Sequence, residues 1–127
     1  MNRAADWLKQ AEADLAAARD SAAAGHHEWA AFQAQQAAEK AAKALLHALH
    51  GAVRGHSITD ILKHLGTVSV PEATLDAARE LDKVYVTARY PNGFASGTPS
   101  DYFTAASSRS LVQHAEEVVN FCRSQIP

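Results

Sequence analysis

The chain of 127 residues holds one cysteine, Cys122, so it cannot form an internal disulfide. That suits a reducing compartment, and a cytoplasmic protein is expected. A basic excess is also missing. Formal net charge is -2, which excludes a general nucleic-acid footprint and leaves any phosphate contact to a local patch. No window approaches the roughly 20 apolar residues that cross a bilayer, and the start at Met1-Asn2-Arg3 lacks the apolar core of a signal peptide. A phosphate-binding glycine loop, GxSxG and HExxH are all absent, which removes the familiar nucleotide and hydrolase signatures. No segment alternates as a strand does, and there is neither an internal repeat nor a low-complexity tail.

What remains is an ordinary globular composition, 47% hydrophobic and 20% charged, written almost entirely in helical period. Its length suits one domain over residues 1–127. Ala4, Leu8, Ala11, Leu15, Ala18 and Ala22 form one face of a first helix over residues 3–24, with Asn2 as N-cap, Trp7 widening the stripe and Gly25 as the stop. A second helix over 28–50 buries Ala31, Ala34, Ala38, Ala41, Ala42, Leu45 and Leu49 and ends at Gly51. Its alanines favour the helix and let neighbouring helices approach closely. Ser57 and Asp60 read as a capping box for a short third helix faced by Ile58, Ile61, Leu62 and Leu65. Pro71 opens a fourth, with Leu75, Ala78, Leu81, Tyr85 and Ala88 inward and Pro91 ending it. Residues 90–101 are an irregular loop. A last helix over 103–124 turns Leu111, Val112, Ala115, Val118, Val119 and Cys122 inward. The sum is an all-α, antiparallel, up-and-down bundle of four or five helices.

The second helix carries a polar stripe, Gln33, Gln36, Lys40, Lys43, His47 and His50, at spacings of 3, 4, 3, 4 and 3. As a solvated face it needs no function. As a strip of amides and cations without a carboxylate, it has the chemistry for phosphate and base edges, with Gln36, Lys40 and Lys43 as the anion-binding candidates. Glu39 stands at i+4 from Lys43 and can pair with it. Arg89 sits at a helix end beside the loop and next to Tyr90. Either it caps the helix and pairs with Asp82 or Asp101, or its fork grips a phosphate while Tyr90 stacks on a base. His56 either holds the turn that Ser57 caps, or stands near Lys40 as a phosphate contact or acid–base group. His47 and His50 share an i, i+3 spacing without a third ligand, so no metal is expected. Cys122 falls on an apolar face, as a core residue does. Trp29 and Phe32 suit core or dimer contacts, and so small-residue a bundle favours burial against a second copy.

Three stretches in order, "FQAQQAAEKAAKALL" (Phe32 to Leu46), "HSITDIL" (His56 to Leu62) and "LDKVYVTARYP" (Leu81 to Pro91), resemble the HEPN family, a helical domain named for its occurrence in higher eukaryotes and prokaryotes and for nucleotide binding. The resemblance covers nearly the whole chain. It implies a helical bundle, commonly a homodimer, that partners a small nucleotidyltransferase in a toxin–antitoxin-like pair. It implies nucleotide or RNA as ligand; from the residues themselves no cofactor, no membrane association and little or no catalysis by the bundle are expected. Many members of the wider superfamily are metal-independent ribonucleases that use an arginine and a histidine four to six positions later, with a polar residue after the arginine. Only Arg109-Ser-Leu-Val-Gln-His114 has that spacing here. Ser110 stands where an asparagine, aspartate or histidine is expected, and the tyrosine that closes the motif in one toxin branch is absent. Five helical steps also turn the chain by about 140°, which sets Arg109 and His114 on different faces. Arg54 and His56 are too close together to fit the spacing. The alternative expectation is a ribonuclease toxin using Arg109 and His114, assembled across a dimer.

Overall fold

The computed structural model describes residues 2–52 and 55–127; Arg54 lies outside them. Among the described residues the chain is helical throughout, without a strand: α1 (Ala4–Ala23), α2 (His27–Ala48), α3 (Ile58–Lys63), α4 (Glu72–Asp82), α5 (Val84–Thr87), a 3-10 turn (Pro91–Gly93), α6 (Pro99–Tyr102) and α7 (Ala105–Gln125).

The four long helices run up and down, as the contacts at their ends show. Asn2 accepts from the Ala4 amide at 2.9 Å and donates to the His47 carbonyl at 2.8 Å, so the start of α1 lies against the end of α2. Arg123 reaches Glu12, and Arg19 reaches Glu116, which makes α1 and α7 antiparallel. His27 meets Ser108 at 2.8 Å, so α2 and α7 start at the same end. Thr74, near the start of α4, donates to Glu117 in the second half of α7 at 3.0 Å. Helix α2 is the central element: ten of its alanines and leucines are buried, and α1, α7 and the short helices pack around it. Alanine makes this possible, because a small side chain on both surfaces lets two backbones approach without voids.

The inward faces read from periodicity are those the structure buries on α1, α3, α4 and α7, with Leu8, Ala22 and Leu75 only half covered. Four details differ from expectation. The first concerns the end of α2, which stops at Ala48. Leu49 is 39% exposed, and His50 takes the left-handed conformation at φ 60°. Gly51 then passes so close to Leu46 that a Cβ there would lie 2.5 Å from its Cδ1, and a continuing helix does not permit that approach. His47 and His50 therefore do not share a helix face. Second, the fourth helix divides at Lys83 into α4 and α5 while its backbone stays in the right-handed region. Third, residues 90–101 are not wholly irregular. They include the 3-10 turn and the first residues of α6, whose entry is held by Asp101 accepting from the Thr98 amide and hydroxyl. Those bonds hold the Asp101 carboxyl below its ordinary range. Fourth, α7 begins at Ala105, two residues late, because Thr104 and Ser107 cap each other's amides.

Candidate functional site

The site forms where α2, the approach to α3 and the end of α5 meet. Its base is Glu39, 4% exposed on α2. A carboxylate this deep requires donors, and it has three: Gln35 at 3.0 Å, Lys43 at 2.9 Å and His56 Nδ1 at 3.2 Å. Gln35 is itself fully buried, and its oxygen accepts from Gln36 at 2.8 Å. The polar column Gln35–Glu39 thus runs along the edge of the alanine face.

His56 reaches Glu39 because Asp82 anchors the chain just after it. From the end of α4, Asp82 accepts from the Ile58 amide (2.8 Å), the Thr59 amide (3.1 Å) and the Thr59 hydroxyl (2.6 Å). Ser57 accepts from the Asp60 amide at 3.1 Å. The capping of α3 by Ser57 is therefore shared with a carboxylate from another helix, suited to the positive end of the helix dipole. The His56 ring then lies on Tyr85, 4.5 Å between centroids and 19° between planes.

Arg89 completes the cluster. Its Nε donates to the Tyr85 carbonyl at 2.8 Å, satisfying the end of α5. The guanidinium carbon lies 4.4 Å from the centre of the Phe32 ring, 4.5 Å from Tyr85 and 5.0 Å from Tyr90. Asp82 and Asp101, its candidate partners from sequence, are engaged with Thr59 and Thr98 instead. Among the ion pairs of the described residues, none involves Arg89. Three aromatic rings surround the guanidinium, and among the described residues no hydrogen bond from its two terminal nitrogens occurs. Trp29, 51% exposed, extends the aromatic surface through Phe32.

The structure thus brings together Gln36, Lys43, His56, Arg89 and Tyr90 among the residues singled out by sequence, and adds Glu39, Gln35, Tyr85 and Phe32. Both lysines are ion-paired, Lys43 within the site and Lys40 away from it. Lys40 is ion-paired with Asp14 of α1, and Lys43 with Glu39. The polar stripe is therefore not a free positive strip, because carboxylates from α1 and from α2 itself neutralise it. Gln33 is engaged too, accepting from Ser21 at 2.6 Å. Arg109 and His114 part company on α7. Arg109 lines an open cleft with Arg19, His27 and Glu116, whereas His114 lies toward Glu80 of α4, whose carboxyl is held below its ordinary range chiefly by the Lys83 hydrogen bond and to a smaller degree by His114. Among the described residues no cluster of three metal-ligating side chains occurs. No helix among them is long and apolar enough to cross a membrane.

The protein is an all-helical bundle in which Glu39 of α2, His56 and the aromatic-flanked Arg89 form one cluster. The HEPN domain model matches residues 4–125, and the chain belongs to the HEPN domain family. Among solved structures it is similar to TT1696 from Thermus thermophilus, with 40% identity, TM-score 0.95, and coverage of 98% of this chain and 99% of that one. ST0689, an archaeal HEPN homologue, shares 38% identity over the full length of both chains at TM-score 0.86. An HEPN domain protein of Thermotoga maritima, tm0613, shares 32% identity at TM-score 0.77 over 94% of this chain and 95% of that one. Curated protein sequences give no match.

Proposed function

We propose that this HEPN-domain protein binds a nucleotide through Arg89, with His56 and Tyr90 beside it, and acts as the partner of a small nucleotidyltransferase in a toxin–antitoxin-like pair. The observation that carries the binding reading is the state of Arg89. A guanidinium on three aromatic rings, with no carboxylate of its own, presents its edge donors to an oxyanion, and a planar fork suits phosphate. Tyr90, half exposed, offers a face for a base. The nucleotidyltransferase partner and a homodimeric state rest on the family resemblance. Co-expression with a small nucleotidyltransferase, followed by co-purification and sedimentation, tests both.

The competing reading, a metal-independent ribonuclease at Arg109 and His114, draws no support from their placement on different faces of α7. RNA cleavage in excess chelator by wild type and His114→Ala separates the two. No cleavage above background agrees with a binding module, and cleavage lost on His114→Ala revives the enzyme. Titration with AMP and ATP, wild type against Arg89→Ala, tests the nucleotide site itself.

A further inference from the structure

A second polar concavity shares no residue with the Arg89 cluster. It is an open cleft of about 430 Å³ between the end of α1 and α7, with His27 at the start of α2 in its lining. His27 and Ser108 are tied to each other at 2.8 Å and form one polar wall. Two arginines line the cleft, Arg19 and Arg109, against one carboxylate, Glu116. Even with His27 uncharged the cleft is locally positive, on a chain of net charge -2. Arg19 donates through Nε at 3.3 Å and Nη2 at 3.1 Å to one oxygen of Glu116, Oε1, and no other hydrogen bond to Glu116 occurs among the described residues. Among their ion pairs, none involves Arg109. The last carbonyls of α1, which would oppose an anion here, accept from the amides of Ala24, Gly25 and His26. The cleft thus offers guanidinium donors and, on Glu116 Oε2, a carboxylate acceptor. No phenylalanine, tyrosine or tryptophan lines it, so a nucleobase has no such face to stack on.

We propose that this cleft is a second anion site, separate from the nucleotide site, that takes hydrogen phosphate in preference to sulfate. Phosphate near neutral pH carries negative oxygens for the guanidinium forks and a P–OH hydrogen for Glu116. Sulfate has the same tetrahedral shape but no hydrogen, so it brings only lone pairs to the carboxylate. His114 does not line the cleft and has no part in this binding.

The test is NMR titration of the full chain with sodium phosphate and with sodium sulfate at matched ionic strength. It is followed at the Nε–H signals of Arg19 and Arg109 and at the His27 ring, while the Arg89 Nε–H signal reports the other site separately. Saturable shifts at Arg19 and Arg109 are expected with phosphate, at an affinity about tenfold or more above that for sulfate, the worth of one hydrogen bond to a charged group. Arg109→Ala should weaken phosphate binding about tenfold or more. Glu116→Gln, whose amide donates to either anion, should bring phosphate and sulfate together. His114→Ala should change neither affinity. Equal affinity of wild type for the two anions, or a preference that survives in Glu116→Gln, overturns the selectivity. Phosphate shifts confined to Arg89, or shifts at the cleft that do not saturate, overturn the site itself and leave the nucleotide reading as it stands.

Discussion

Asp82 and Thr59 are joined twice, the aspartate accepting from the Thr59 amide at 3.1 Å and from its hydroxyl at 2.6 Å. The pair ties the end of α4 to the start of α3 and sets the preceding His56 over Tyr85. Asp82→Ala removes acceptors from two backbone amides at a helix start. It should lower stability by about 2 kcal/mol and weaken nucleotide binding as well, because His56 loses its anchor. Chemical denaturation and titration of the same preparation check the two effects together.

Lys40→Ala should leave nucleotide affinity unchanged. Its ammonium is paired with Asp14 on the α1 side, and losing a partly exposed pair costs about 1 kcal/mol or less. A drop in affinity comparable to that of Arg89→Ala would return Lys40 to the site.

Cys122 should resist alkylation in the folded protein and react only after denaturation. Burial among the inward residues of α7 pushes its thiol up to about 12. The unfolded chain ionises this thiol near its ordinary value, so the folded state holds the proton over the interval between. Stability from this group is present below about pH 9 and declines as pH rises toward 12, by about 1.4 kcal/mol per pH unit at most. Denaturation curves of wild type and Cys122→Ala at pH 8 and pH 10 should therefore differ in pH slope, with the variant the shallower.

Much of the bundle is legible in local periodicity, because each long helix shows the solvent a face of different composition. Leu111, Val112, Ala115, Val118, Val119 and Cys122 are all buried as their spacing requires. The candidate site is legible only in pieces. Tyr85, Arg89 and Tyr90 lie within one turn or so of each other, and the spacing i, i+4, i+5 suggests their proximity. Gln35 and Glu39 also carry a signal, since both flank alanines of the inward face at i, i+4. That glutamate lies on the buried edge rather than among the solvated charges. Two contacts have no local trace. Phe32 meets Arg89 from a distant part of the chain, and His56 meets Glu39 only because Asp82 draws the start of α3 toward α4. The apparent positive stripe misleads for the same reason: Asp14, on another helix, neutralises Lys40.

His50→Gly should stabilise the protein by about 0.5–1 kcal/mol. His50 holds a left-handed backbone at φ 60° where α2 ends, a conformation glycine adopts without its steric cost. Thermal unfolding of the two proteins under identical conditions measures the gain. An unchanged or lowered midpoint would mean that the histidine side chain contributes at that turn.

The central claim is that Arg89 is the phosphate contact, and calorimetric titration of AMP and ATP into wild type and Arg89→Ala tests it most directly. Saturable binding by wild type, weakened about tenfold or more in the variant as expected for charged hydrogen bonds, is the predicted result. Equal affinity in the two proteins, or no binding by wild type, would contradict it.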